Sequence, residues 1–165
     1  MMYRNLKAWP DFHHRINLVY HGVIAFSLIP FALIFLNIDS GLSQKPIVGE
    51  RYLIFIYVGT IPLIAATFVL VWRHAKEKLA TITNHKDLRQ RIISYLGFQT
   101  KRYLWLELGA IISLLGMWLS LNFIYILAYL LALVQFSFLR PSQDKMIRDL
   151  QFDKEERQKL GQETL

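Results

Sequence analysis

The sequence of 165 residues contains no cysteine. This absence excludes disulfides, thiolate metal sites and cysteine nucleophiles, and it leaves the redox compartment of the protein open. The sequence also lacks a nucleotide-binding motif, an acidic pair placed for acid–base catalysis and a set of metal ligands at recognisable spacing. We therefore predict no catalytic residue, no metal and no cofactor, and a non-enzymatic role is favoured over an enzymatic one.

Long apolar runs are the main feature that is present. Hydrophobic residues make up 54% of the chain, which carries four apolar runs at 16–36, 52–71, 103–120 and 123–139. A helix rises about 1.5 Å per residue and the hydrocarbon core of a bilayer is about 30 Å thick, so about 20 apolar residues cross it. We predict an all-α, multi-pass membrane protein in which residues 16–139 form an antiparallel bundle of four transmembrane helices.

Lysine and arginine are distributed unevenly around these runs. Of the 19 Lys and Arg residues, 17 lie before residue 16, between 73 and 102 or after 139, and two lie between 37 and 51. Positively charged loops stay on the cytoplasmic side, which predicts cytoplasmic termini and a location in the cell (inner) membrane. The bilayer, with anionic headgroups on its cytoplasmic face, is the expected partner of this basic face. Nucleic acid is not an expected partner.

The loop between the second and third runs carries a helical pattern near 85–97. Leu88, Ile92 and Leu96 share one helix face. This spacing predicts a short amphipathic cytoplasmic helix that ends at Gly97. Such a helix either lies on the inner membrane surface or connects two spans beneath the bundle.

The two ends of the chain are predicted to lie outside the membrane. Residues 1–15 mix aromatic and basic side chains, which is typical of a cytoplasmic segment at the headgroup level. The first apolar run is longer than the core of a signal peptide and should remain as a span. The composition of residues 140–165 predicts a charged, helical cytoplasmic tail. Pro141 suits a first helical turn, and Asp153 with Glu156 resembles a capping box.

Small and weakly polar residues recur at helical spacing in every span. They are Asn17, His21, Ala25 and Ala32 in the first span, Gly59, Pro62 and Ala66 in the second, Gly109, Ser113, Gly116 and Ser120 in the third, and Ala128, Ala132 and Gln135 in the fourth. Lipid is as apolar as leucine, so membrane helices associate through such residues. We predict helix–helix contact at these stripes, for the third span either with the fourth or with a partner.

Five polar residues of the spans are predicted to form a cluster. They are Asn17, His21, Thr67, Glu107 and Gln135. Counted from the cytoplasmic ends, all but Asn17 lie about 6–8 Å deep, and Asn17 is one turn nearer the surface. Ionisable groups at that depth face protein or water. Three interpretations remain open: an interhelical hydrogen-bond network, a proton-handling or ligand-binding site, and a metal or haem site, for which His21 is the only intramembrane histidine.

Glu107 and the stripe of the third span point in different directions. At about 100° per residue, Glu107 lies about 180–240° around the helix from the stripe. If the helix turns one broad side inward, one of these faces meets a partner, unless Glu107 reaches the headgroups. The leading hypothesis is a small, non-catalytic integral subunit or assembly or scaffold factor of a larger membrane complex, with a membrane-protein partner or as a homo-oligomer. The alternative is a small transporter or intramembrane enzyme that uses His21 and Glu107.

Overall fold

A computed structural model describes residues 9–41, 46–73, 75–83, 87–154 and 156. These residues form six α-helices and no strand. The helices are α1 (Trp9–Asp39), α2 (Glu50–Arg73), α3 (Ala75–Thr83), α4 (Leu88–Ser120), α5 (Phe123–Phe138) and α6 (Gln143–Asp149). The all-α class predicted from the apolar runs is confirmed.

Several of these helices have the length and composition of membrane spans. Three helical stretches, which contain α1, α2 and α4, are long and apolar enough to cross a membrane. α5 has 16 residues, or about 24 Å, which is shorter than a typical hydrocarbon core. It passes the same test only together with α6, from which it is bent by 79°. The prediction of several spanning helices is therefore confirmed, with three or four spans by composition.

α4 is the central helix of the molecule. It packs against α1, α2 and α5, and 56% of its most apolar window is buried, compared with 11% for α1 and 17% for the stretch that contains α2. The face of α4 that carries Glu107 and the face that carries the small-residue stripe are therefore both covered within the chain. The condition that the helix turns only one broad side inward does not hold, because Glu107 and the small-residue stripe are both buried, and a membrane-protein partner stays a prediction.

The contacts along α4 give the direction of its neighbours. The Arg102 guanidinium lies 5.2 Å from the centre of the Trp72 ring, and further along the helix Gly109 faces Thr67. α2 therefore runs antiparallel to α4. α5 also runs antiparallel to α4, because a tight hairpin joins the two helices.

That hairpin occupies the two residues between the third and fourth runs, Leu121 and Asn122. Leu121 ends α4 in the left-handed region with φ of 52°, and its N–H donates to the Met117 carbonyl oxygen at 2.9 Å. Asn122 caps α5 by accepting a hydrogen bond from the Ile124 N–H at 2.9 Å. The Asn122 side-chain amide also donates to the Tyr57 hydroxyl at 3.0 Å, which joins the turn to α2.

α4 extends well beyond the predicted third span. It begins at Leu88, where Asp87 caps it, and it continues through Gly97. The prediction that a separate helix ends at Gly97 is wrong. A glycine inside a helix costs only about 1 kcal/mol relative to alanine, and the packing of the neighbouring residues outweighs this cost.

The first half of α4 packs beneath the bundle against the chain after residue 140. Ile92 and Leu96 are buried in one apolar cluster with Met146, Leu150 and Phe152. The helical face predicted near 85–97 is therefore covered by protein, as expected for a connecting helix. We call the part made of α3, residues 88–102 and residues 140–156 the basic end of the molecule.

Polar contacts hold the tail on α4. Arg91 forms an ion pair with Glu156 at 2.7 Å and donates to the Leu150 carbonyl oxygen at 2.6 Å. The Asp153 N–H donates to Glu156 Oε2 at 3.1 Å, which is one of the two contacts of a capping box. Pro141 does not lie in the first turn of α6, since the helix begins after its N-cap Ser142. Residues 1–8 and 157–165 lie outside the described residues.

Candidate functional site

Glu107 is a buried carboxyl group in the apolar part of α4 that is predicted to span the membrane. Its side chain is 6% exposed. The Ser27 hydroxyl of α1 lies 3.1 Å from Glu107 Oε2 and 3.3 Å from the Ile24 carbonyl oxygen, so its single proton serves one acceptor at a time. The Tyr129 hydroxyl of α5 donates to Ser27 Oγ at 3.4 Å. Glu107, Ser27 and Tyr129 therefore join three helices, and we call them the Glu107 triad.

The second carboxyl oxygen of Glu107 has a different environment. Oε1 is buried and has no hydrogen-bond partner among the described residues. Glu107 also lines an apolar groove between α1 and α4, together with Gly22, Val23 and Leu108. A buried polar atom without a partner costs about 1–3 kcal/mol. An ionisable side chain at membrane depth with such an atom is a candidate functional site.

Asn17 and His21 do not belong to this triad. His21 is exposed, and its Nδ1 lies 3.0 Å from the Asn17 carbonyl oxygen in the same helix. The Asn17 side-chain amide lies 3.1 Å from a ring nitrogen of His13, one turn earlier. In the described part of the chain, the hydrogen bonds of Asn17 and His21 thus stay within α1.

Thr67 and Gln135 make two further, separate contacts. Thr67 is buried, and its hydroxyl donates to the Ile64 carbonyl oxygen of its own helix at 2.7 Å. Gln135 Oε1 accepts a hydrogen bond from the Trp72 indole at 3.3 Å, which links α5 to α2. The structure therefore does not bring the five predicted polar residues together in one cluster.

The residues share an approximate depth but not a direction. Ser27 follows His21 by six residues, so the two side chains are separated by about 120° around α1. Since Ser27 is the residue that meets Glu107, His21 points away from the carboxyl group. A pair of His21 and Glu107, on which the proton-handling interpretation depended, is absent from the described structure.

Ser27 and Tyr129 are the residues that sequence reasoning missed. Phe12, Ile16 and Tyr20 are buried at helical spacing along α1, and Ser27 continues the same face. A polar residue on a stripe of large apolar side chains is the signal that would have identified Ser27. Tyr129 carries no comparable signal, because it is one of eight tyrosines.

The stripes of the third and fourth spans are contacts within the chain. Gly109, Ser113, Gly116, Ser120 and Ala132 are buried, and Ala128 is half-buried. Gly109 faces the Thr67 side chain of α2, whereas Gly116 faces the Tyr125 ring of α5. The stripe of the third span thus meets both neighbours, where one contact with the fourth span or a partner was expected.

The stripes of the first and second spans point outward instead. Ala25 and Ala32 are exposed on α1, and Gly59 and Ala66 are exposed on α2. A Cβ atom added at Gly59 would meet no atom within 4 Å. These small residues are therefore not used for packing within the described part of the chain.

Comparison of the chain with protein-family models, with curated proteins and with solved structures finds no match. Within the described ranges, no three His, Asp or Glu side chains lie together in a way that could hold a metal ion. The function must therefore be inferred from the side chains and surfaces of the chain itself.

Proposed function

We propose that the protein is a non-catalytic integral membrane subunit, or an assembly factor, of a larger membrane complex. It packs against a transmembrane helix of another protein through one face of α1. That face, the outward stripe, consists of Asn17, His21, Ala25 and Ala32. The observation that supports the proposal is the exposure of His21, Ala25 and Ala32, with Asn17 half-buried, along a helix that is apolar and long enough to cross a membrane.

The outward stripe is a coherent helix face. At about 100° per residue, its members lie within about 80° of one another around α1. The opposite, inward face carries large residues such as Ile16 and Tyr20, which pack against the rest of the chain. The α1 helix thus separates bulky side chains for its own fold from small ones on its free side.

His21 makes lipid an unfavourable neighbour for this face. It lies within the apolar run 16–36 and is exposed. Ionisable side chains in spans almost always face protein or a water-filled cavity, because hydrocarbon offers them no partner. The small side chains of Ala25 and Ala32 allow a second helix to approach closely. A partner helix with a polar group opposite His21 would satisfy both features.

The second span supports the same proposal. Gly59, Pro62 and Ala66 share a face of α2 and are exposed. The α2 helix packs inward through other residues, among them Ile64, Thr67 and Val71, which are buried. Both peripheral helices therefore keep a small-residue face free.

Orientation and location are part of the proposal. The basic end lies in the cytoplasm and the membrane is the cell (inner) membrane, since 17 of the 19 Lys and Arg residues belong to segments on that side. The packed tail on α4 then provides a folded cytoplasmic surface for the complex.

The unpartnered oxygen of Glu107 favours a second candidate function, a small transporter or intramembrane enzyme. In that case, Glu107 would bind a ligand or transfer a proton beside the groove between α1 and α4. His21 would take no part, because it faces away from Glu107.

Site-specific photocrosslinking in the native membrane tests the leading proposal. A benzophenone amino acid is placed at Ala25 or Ala32, and at Leu33 as a matched control, because Leu33 is 65% exposed and lies about 100° from Ala32. We expect one discrete protein adduct from both stripe positions and none from Leu33.

Three outcomes would contradict the proposal. Adducts with lipid alone would leave the face without a protein partner. Equal protein adducts from all three positions would indicate random collision. An adduct of twice the chain mass would show that a second copy, and not another protein, covers the stripe.

A further inference from the structure

A groove between α3 and α4 lies at the basic end of the molecule. Its polar lining consists of Lys78, Thr81, Ser94 and Lys101, together with the backbone at Gly97. Ile82 and Phe98 line the same groove with apolar surface. We call this feature the lysine groove.

The two lysines give the groove a positive charge that no carboxylate among the described residues pairs with. Lys78 and Lys101 are exposed, and neither forms an ion pair with a carboxylate in the described part of the chain. Two ammonium groups that line one groove repel each other, and an anion between them would remove this repulsion. The groove is therefore complementary to a negatively charged group.

The position of the groove is that of lipid headgroups. Lys101 lies two residues before the start of the predicted third span, at 103–120. Next to it, the Arg102 guanidinium lies over the rings of Trp72 and Phe98, at 5.2 and 5.5 Å from their centres. Aromatic and basic side chains of this kind mark the boundary between membrane and water. A phospholipid placed here would have its phosphate at the level of the lysines.

Gly97 keeps the groove open. A Cβ atom added at this position would meet no atom within 4 Å. Because Gly97 lines the groove, a larger side chain there would take up space in it, beginning from a Cβ atom that meets no neighbour. The glycine lies inside α4, so its replacement also removes a weak position from the helix.

We propose that the lysine groove binds the phosphate headgroup of an anionic phospholipid. Lys78 and Lys101 pair with the negative charge, and Ser94 offers a hydroxyl donor. The apolar surface of Ile82 and Phe98 accepts the glycerol and the first carbons of the acyl chains. This apolar surface favours a lipid over a free phosphate ion.

Native mass spectrometry of the full chain in mild detergent tests the site. The protein is titrated with phosphatidylglycerol or with phosphatidylcholine, and the fraction with bound lipid is measured. We expect the wild type to prefer phosphatidylglycerol. The double variant Lys78→Gln/Lys101→Gln should bind phosphatidylglycerol about 30-fold more weakly, at about fivefold for each lysine.

Two matched controls separate the groove from general attraction. Arg148→Gln/Lys154→Gln also removes two positive charges from exposed positions at the basic end, outside the groove, and should retain the preference. Gly97→Leu should abolish the preference by filling the groove, whereas Gly97→Ala should retain most of it. Circular dichroism would show that each variant keeps its helix content.

Three results would overturn the proposal. An equal loss in both double variants would show that net charge alone attracts the lipid. Undiminished preference in Gly97→Leu would place the lipid elsewhere. Displacement of phosphatidylglycerol by millimolar inorganic phosphate would indicate a site for a free anion. None of these results would affect the proposed contact through α1, because the lysine groove contains no residue of that helix.

Discussion

The contact between Gly116 of α4 and Tyr125 of α5 provides the sharpest test of the packing. A Cβ atom at Gly116 would lie within 3.0 Å of three atoms of the Tyr125 ring. The ring has little freedom to move, because Tyr125 is 1% exposed and its hydroxyl lies 2.6 Å from the Thr60 hydroxyl of α2. Gly116→Ala therefore forces either the ring or the whole of α5 to shift.

The expected magnitude follows from three effects. Overpacking a close contact costs about 1–3 kcal/mol. Loss of the hydroxyl contact between Tyr125 and Thr60 adds about 0.6 kcal/mol, the average for such bonds in membranes. Alanine regains about 1 kcal/mol because it is a better helix former than glycine. We expect Gly116→Ala to lower the free energy of unfolding by about 0.5–2.5 kcal/mol.

Gly97 in the same helix is the matched control. A Cβ atom there meets nothing within 4 Å, so Gly97→Ala should raise stability by about 0.5–1 kcal/mol through helix propensity alone. Thermal unfolding of both variants in one detergent is the assay. The double variant Gly116→Ala/Tyr125→Leu should lose less stability than the sum of the single variants, since the ring that clashes is gone. If Gly116→Ala gains as much stability as Gly97→Ala, the close contact does not exist.

Two further predictions concern the Glu107 triad and the orientation. Glu107→Gln keeps a side-chain oxygen that accepts from Ser27, so it should cost less than about 1 kcal/mol of stability. The variant should also rescue a deletion strain. A folded variant that fails to rescue would support the ligand- or proton-handling candidate. If the basic end is cytoplasmic, a cysteine at Ile47 should react with an impermeant thiol reagent in intact cells and one at Gln90 should not, because both positions are exposed and lie on opposite sides of the membrane. The reverse labelling pattern would refute this orientation.

The apolar runs and the hairpin could be predicted because their causes are local. The length of an apolar run is compared with the thickness of the bilayer, and no knowledge of neighbours is needed. Only Leu121 and Asn122 separate the third and fourth runs, so those two helices had to be antiparallel neighbours. The structure has this turn at the same residues.

The inward face of each helix could not be predicted in the same way. The α1 helix has two faces with helical periodicity, one of small residues around Ala25 and one of large residues around Tyr20. Its large face packs inward, where Tyr20 meets Tyr103 of α4 and Phe136 of α5. The spacing of residues along one helix does not indicate the shape of the neighbouring surface against which that helix packs.

The end of the amphipathic helix was mispredicted for a related reason. Gly97 is a helix-ending signal by its own preference. That preference is worth about 1 kcal/mol, and burial of a residue such as Leu96 against Met146 contributes more, about 1.5–3 kcal/mol for a large apolar side chain. The tail that supplies Met146 lies some 50 residues further along the chain and could not be included in a local argument.

The sequence by itself determined the class of the protein, because hydrophobic length, charge bias and turn residues act on the chain segment that carries them. Only the tertiary structure decided that Glu107 meets Ser27 and not His21, that α4 packs against α1, α2 and α5, and that two small-residue faces of the described chain remain free. Each of these facts depends on how helices distant in sequence are rotated against one another. Rotating a helix by about 100°, which corresponds to one residue, changes which side chain meets the neighbouring helix. The combined packing of all the helices selects the rotation that the structure shows.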